Sequence, residues 1–121
     1  MSDSNDRPPR ILIVEDEMIL AMDLEQILQD HGFDVVGVSP SVERAVQAVT
    51  TLRPGAATLD LNLRGQSSAP VADALRGLGI PFVVASGYTE FIGDFDFQDA
   101  PFVRKPVATE ELIAKLRQVL T

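Results

Sequence analysis

Cysteine is absent from this 121-residue chain and histidine occurs once, as His31. The first absence removes disulfides, thiolate catalysis and Cys-ligated zinc; the second removes His-based zinc sites and a serine triad. Basic residues are scarce, 10 against 18 acidic ones, and the formal charge of -8 repels nucleic acid and anionic lipid. Direct DNA binding and membrane association are therefore not expected. No apolar run reaches the roughly 18 to 20 residues that span a bilayer, and the polar start from Met1 to Pro9 has no hydrophobic signal core, so a cytoplasmic location is expected. Any chemistry must rest on carboxylates.

What is present suits one folded domain, with 45% apolar residues in a length that buries a real core. Residues 1–9 offer almost no apolar surface to offset the entropy of ordering and read as a disordered tail; residues 10–121 read as the domain. Ile11 to Val14 is continuously apolar and mostly β-branched, the pattern of a strand covered on both faces. Leu20, Leu24, Ile27 and Leu28 then recur at helical spacing, predicting a helix over about Glu17 to Asp30 that ends at His31-Gly32. Strand and helix alternate onward: Val35 to Val38, a helix striped by Val42, Ala45, Val46, Val49 and Leu52, then Ala56 to Leu59. A polar loop follows, then a helix opened by Pro70 and broken at Gly79, strands at Phe82 to Ala85 and Phe102 to Arg104, and a last helix with Thr109 as N-cap and Glu110 and Glu111 in its first turn. Five alternations predict a doubly wound α/β fold with helices on both faces of a parallel sheet and its site at the carboxyl ends of the strands. Between Tyr88 and Pro101, Gly93, Asp94, Asp96 and Asp99 dilute the helical spacing of Phe91, Ile92 and Phe95, so the fourth helix is expected to be short or absent.

The strands end at Glu15-Asp16, Asp60, Ser86 and Lys105-Pro106. Parallel strands carry all of these to one edge, gathering three carboxylates, a hydroxyl and an ammonium. Like charges about 4 Å apart repel by roughly 4 kcal/mol at an effective dielectric of about 20, so such a cluster implies a cation and a purpose. Isolated, each residue has a plainer reading: a turn Asp, an acidic helix start, a solvated lysine, a loop serine. Their joint placement outweighs those readings.

Val14-Glu15-Asp16-Glu17, Leu59-Asp60-Leu61-Asn62, Ala85-Ser86-Gly87-Tyr88 and Lys105-Pro106, in this order, resemble the receiver domains of two-component response regulators over Arg10 to Leu120. The resemblance implies a flavodoxin-like five-stranded sheet of order 2-1-3-4-5 and a single-domain response regulator that takes a phosphoryl group from a histidine kinase or phosphotransfer protein. It implies Asp60 as phosphoacceptor, and Mg2+ held by Glu15 (through water), Asp16, Asp60 and the Asn62 backbone carbonyl. Lys105 and Ser86 are implied as phosphoryl contacts, a cis peptide at Lys105-Pro106, and Phe102 as an aromatic switch residue without a tyrosine hydroxyl. Ile80 to Tyr88 further resembles the FAT-GUY receivers, largely stand-alone and associated with HWE-type kinases. The acidic, aromatic segment with Tyr88, Phe91, Ile92 and Phe95 is the candidate surface for a downstream partner; with no output domain expected, the protein signals by binding that partner or acts as a phosphate sink. It is not expected to be an enzyme in its own right.

Two other readings stay open on the sequence. A magnesium phosphohydrolase also uses an Asp nucleophile at a strand end, but wants a second acid where Asn62 stands. A pseudo-receiver binds partners without being phosphorylated, against which the intact acidic set and Lys105 argue.

Overall fold

Ile11, Leu12, Ile13 and Val14 are all buried in β1 (Arg10–Val14), as a strand covered on both faces requires. The computed structural model describes residues 7–87 and 100–121. After β1 come α1 (Met18–Asp30), β2 (Asp34–Ser39), α2 (Val42–Leu52), β3 (Ala56–Leu59), β4 (Asn62–Leu63), β5 (Gln66–Ser67), α3 (Ala69–Gly77), β6 (Phe82–Ser86), β7 (Phe102–Arg104) and α4 (Thr109–Leu120). Five strands form a parallel sheet in the order β2-β1-β3-β6-β7, which is the expected 2-1-3-4-5 once the small hairpin β4-β5 is set aside.

The sheet divides the core into two layers. Leu12, Val14, Ala57, Leu59 and Val84 pack on one face against Ala45 and Val49 of α2 and Val71, Ala72 and Leu75 of α3. Ile11, Ile13, Ala56, Val83 and Val103 pack on the other against Ala21, Leu24 and Leu28 of α1 and Leu112, Ile113 and Leu116 of α4. Alternate residues of one strand thus serve opposite layers, the period-two rule of a pleated strand.

Helix ends are fixed locally. Ser41 Oγ accepts the Arg44 N–H at 3.3 Å at the start of α2, and at its other end the Arg10 guanidinium donates to the Leu52 and Arg53 carbonyls at 2.8 and 3.0 Å. Pro70 lies in the first turn of α3, where its missing N–H costs nothing. At α4 the expectation needs correcting: Ala108, not Thr109, is the N-cap, because the Ala108 carbonyl already accepts the first helical N–H, from Leu112 at 3.0 Å. Glu110 and Glu111 do occupy the first turn.

The segment after Asp60, read as a polar loop, forms an antiparallel hairpin pairing Asn62 with Ser67 and Leu63 with Gln66. Its two-residue turn, Arg64 (φ 54) and Gly65 (φ 83), is left-handed at both positions, the conformation whose twist suits a tight hairpin. Of the tail expected over 1–9, residues 1–6 lie outside the described residues, and the Pro9 carbonyl accepts the Asp34 N–H at 2.8 Å. The expected reduction of a helix between Tyr88 and Pro101 falls on residues outside those described, apart from Ala100 and Pro101.

Candidate functional site

The strand ladder continues past the strand ends and fixes each candidate residue by its backbone. The Glu15 N–H donates to the Ser39 carbonyl at 3.1 Å, the Asp60 N–H to the Val14 carbonyl at 3.1 Å, and the Lys105 N–H to the Ser86 carbonyl at 3.0 Å. Because β1 and β3 are direct neighbours in register, with Val14 opposite Leu59, the acids that follow them emerge side by side. One carboxylate oxygen from each of Glu15, Asp16 and Asp60 lies within 4.8 Å of the others.

Lys105 directly follows β7, two strand spacings from β3, roughly 10 Å away. Its four-carbon stem spans that gap: Nζ is 2.9 Å from Asp60 Oδ2 and 2.6 Å from Glu15 Oε1. The other Glu15 oxygen accepts the Glu17 N–H at 3.1 Å, so both are engaged on a side chain only 1% exposed. Asp60 Oδ1 accepts the Asn62 N–H at 3.3 Å, and Asp16 Oδ2 accepts the Arg64 N–H at 2.9 Å. The Lys105-Pro106 peptide is cis.

Burial pushes the Glu15 carboxyl up from the ordinary carboxylate range; the hydrogen bonds from Lys105 and the Glu17 N–H oppose that rise without cancelling it. For Lys105, burial pulls its ammonium down, but the combined bonds to Glu15 and Asp60 win and leave it above the ordinary lysine value. The ammonium is therefore charged throughout the physiological range and acts as the resident cation of the cluster.

Asp16, Glu17, Asp60, Asn62, Gly87 and Lys105 line an open, mostly polar cleft of about 380 Å³. Ser86 sits at the end of β6, fully buried, and does not line this cleft; the next residue, Gly87, does. Phe102 is 37% exposed on β7, at the edge of the sheet, and is likewise apart from the cleft. Tyr88, Phe91, Ile92 and Phe95, the candidate partner surface, lie outside the described residues. One surface escaped the sequence reading: on α1, the helix that follows Glu17 of the cleft, Met18, Ile19 and Met22 are 55%, 77% and 63% exposed. They fall off the core stripe of that helix, which was the available signal.

Three hard oxygen donors on two adjacent strand ends, partly neutralised by one ammonium, fit a small divalent cation such as Mg2+, which takes few carboxylates and fills its shell with water and phosphate oxygens.

The profile of the response regulator receiver domain matches residues 11–117. The chain belongs to that family. This receiver is 33% identical over 119 residues, 95% of its length, to the phyllosphere-induced regulator PhyR of Methylorubrum extorquens, of which the match covers 45%. Among solved structures it superposes on the receiver domain of PhyR from Erythrobacter litoralis with a TM-score of 0.84 at 28% identity, covering 96% of this chain and 92% of that one. It also superposes on SdrG from Sphingomonas melonis with a TM-score of 0.82 at 38% identity, over the full length of both. The receiver spans about half the length of the curated relatives it matches. As a receiver of two-component systems it is a signalling module, and the family's usual counterpart is a histidine kinase or phosphotransfer protein. No helix among the described residues is long and apolar enough to cross a membrane.

Proposed function

We propose that this receiver is a single-domain response regulator in which Asp60 accepts a phosphoryl group from a kinase phosphohistidine. An Asp60 carboxylate oxygen forms the new P–O bond as the P–N bond breaks, and the imidazole nitrogen keeps the electron pair and takes up a proton. The observation that carries this reading is the Lys105 ammonium 2.9 Å from Asp60 Oδ2, within a cluster whose other acids come from the neighbouring strand. A fixed cation beside the acceptor supplies the preorganised charge that a transferring phosphoryl group needs. Asp16 and Asp60, with Glu15 through water and the Asn62 carbonyl, would hold Mg2+, which when bound neutralises charge on the transferring oxygens.

Ser86 and Phe102 are proposed to follow phosphorylation: Ser86 by moving its hydroxyl toward the phosphoryl group, Phe102 by changing rotamer. The segment carrying Tyr88, Phe91, Ile92 and Phe95 is proposed as the output surface, whether output is partner binding or phosphate drainage from a kinase of HWE type. The match to SdrG at 38% identity supports the receiver reading. A phosphohydrolase finds no support at Asn62, whose side-chain oxygen accepts the Gly65 N–H at 2.9 Å and so belongs to the hairpin.

For the donor, the exposed Met18, Ile19 and Met22 offer the docking face. Met18 and Ile19 directly follow Glu17, a wall of the cleft, and Met22 lies one helical turn further along α1, so a carrier that brings its phosphohistidine to Asp60 from this side rests on them. Adding Mg2+ and beryllofluoride and recording amide spectra tests the acceptor: shifts centred on Asp60, Gly87 and Lys105, abolished in Asp60→Asn, support it, and spectra equal for both proteins refute it.

A further inference from the structure

The β4-β5 hairpin has only two residue pairs, and a two-stranded ribbon of that length is not stable by itself. It is pinned at its base. Leu61 and Leu63 are buried in the layer under α2 and α3, and the Ser68 N–H donates to the Leu61 carbonyl at 3.0 Å. From that base the tip reaches back across the sheet edge, where the Arg64 N–H meets Asp16 Oδ2, 48 residues earlier in the chain, at 2.9 Å. The same hairpin holds Asp60, whose Oδ1 accepts the Asn62 N–H. One short element thus grips one oxygen of each of two acids that belong to different strands.

The turn that makes this possible is conformationally demanding. Arg64 is left-handed although it is not glycine, a conformation retained only where the surroundings enforce it, and Gly65 follows in the same region. The Gly65 N–H closes the turn on Asn62 Oδ1. If the turn were to leave this conformation, the Arg64 N–H would lose its aim at Asp16.

We infer that the hairpin is the positioning element of the acid cluster, its Asn62 and Arg64 N–H groups setting Asp60 and Asp16 in place before any metal arrives. Two carboxylates that repel each other are each held by a backbone N–H, so the cation meets a preformed pair and does not have to assemble it. Arg64 and Gly65 are positioning residues and supply no ligand. This inference rests on the proposed magnesium site.

Gly65 makes a clean test, because a Cβ added there meets nothing within 4 Å among the described residues, so the backbone conformation and not a clash at Cβ is what a substitution disturbs. Asparagine tolerates the left-handed region and valine does not. Mg2+ binding is measured by calorimetry for the wild-type chain, Gly65→Asn, Gly65→Val and Arg64→Pro, which removes the donor itself; amide exchange reports the Arg64 N–H without metal, and thermal melting confirms folding. Gly65→Val and Arg64→Pro should bind Mg2+ roughly tenfold more weakly, the usual scale for losing a group that orients a ligand, while Gly65→Asn keeps both wild-type affinity and a protected Arg64 amide. Wild-type affinity in a folded Arg64→Pro, or in a Gly65→Val whose Arg64 amide exchanges freely, overturns the inference and leaves the magnesium site standing. A wild-type chain that binds no Mg2+ overturns the site and the inference together.

Discussion

The ammonium of Lys105 lies 2.6 Å from Oε1 of Glu15, a carboxylate 1% exposed and 90 residues earlier in the chain. Burial still keeps the Glu15 pKa above its ordinary value. An acid whose folded pKa is raised adds to stability below its unfolded pKa and loses that contribution as the pH rises through the folded value. In the metal-free protein, ionised Glu15 therefore costs stability at neutral pH. Glu15→Gln, which mimics the neutral form, should melt above the wild type at pH 7 without Mg2+, and the two curves should converge near pH 4. Melting temperatures across that range check the sign.

Lys105 behaves oppositely. Its pKa is raised, so its stabilising contribution is complete below the unfolded lysine value and is lost only as the pH climbs through the folded one, in the alkaline range. Lys105→Met removes the cation and leaves Glu15 buried without it. The expected loss at pH 7 is about 2 kcal/mol, below the full cost of breaking a buried pair because Lys105 is partly exposed. Acidification, which neutralises Glu15, should narrow the gap; denaturant melts at pH 7 and pH 4 measure it.

Thr58 lies on β3 two residues before Asp60, 1% exposed, and its hydroxyl has no hydrogen-bond partner among the described residues. A buried hydroxyl left unpaired costs about 1 to 3 kcal/mol, and valine keeps the shape without the polar atom. Thr58→Val should raise unfolding stability by about 1 kcal/mol, read by urea denaturation.

Much of this architecture was legible because the signals were local. Ile11 to Val14 could only be a doubly covered strand, and the predicted Ala56 to Leu59 and Phe102 to Arg104 coincide with β3 and β7. The placement of Glu15, Asp16, Asp60 and Lys105 at one edge followed from parallel strands alone. The hairpin was not legible: Arg64-Gly65 lacks the Asn-Gly or Asp-Gly pair that announces such a turn, and what retains it, buried Leu61 and Leu63 and the contact to Asp16, is tertiary. The α4 cap was missed because Thr109 carries the preferred side chain while the backbone places Ala108 at the cap. Ser86 reads from sequence as a residue of the site edge; the structure buries it there and gives the cleft wall to Gly87.

The apolar face of α1 separates two routes to the same product. Ile19→Glu puts a charge on the proposed donor rim without touching the cleft residues. Phosphorylation by a cognate kinase should slow by about tenfold or more, while phosphorylation by acetyl phosphate, which needs no docking, should be unchanged. Equal rates from the kinase would remove the α1 face from the account.

Every role proposed for the cleft depends on Asp60 forming the acyl phosphate. Intact-mass spectrometry with site mapping, after incubation with acetyl phosphate and Mg2+, tests this most directly. One added phosphoryl group, located on Asp60, dependent on Mg2+ and absent from Asp60→Asn, is the predicted result. A chain that stays unmodified, or one modified equally when Asp60 is replaced, contradicts it.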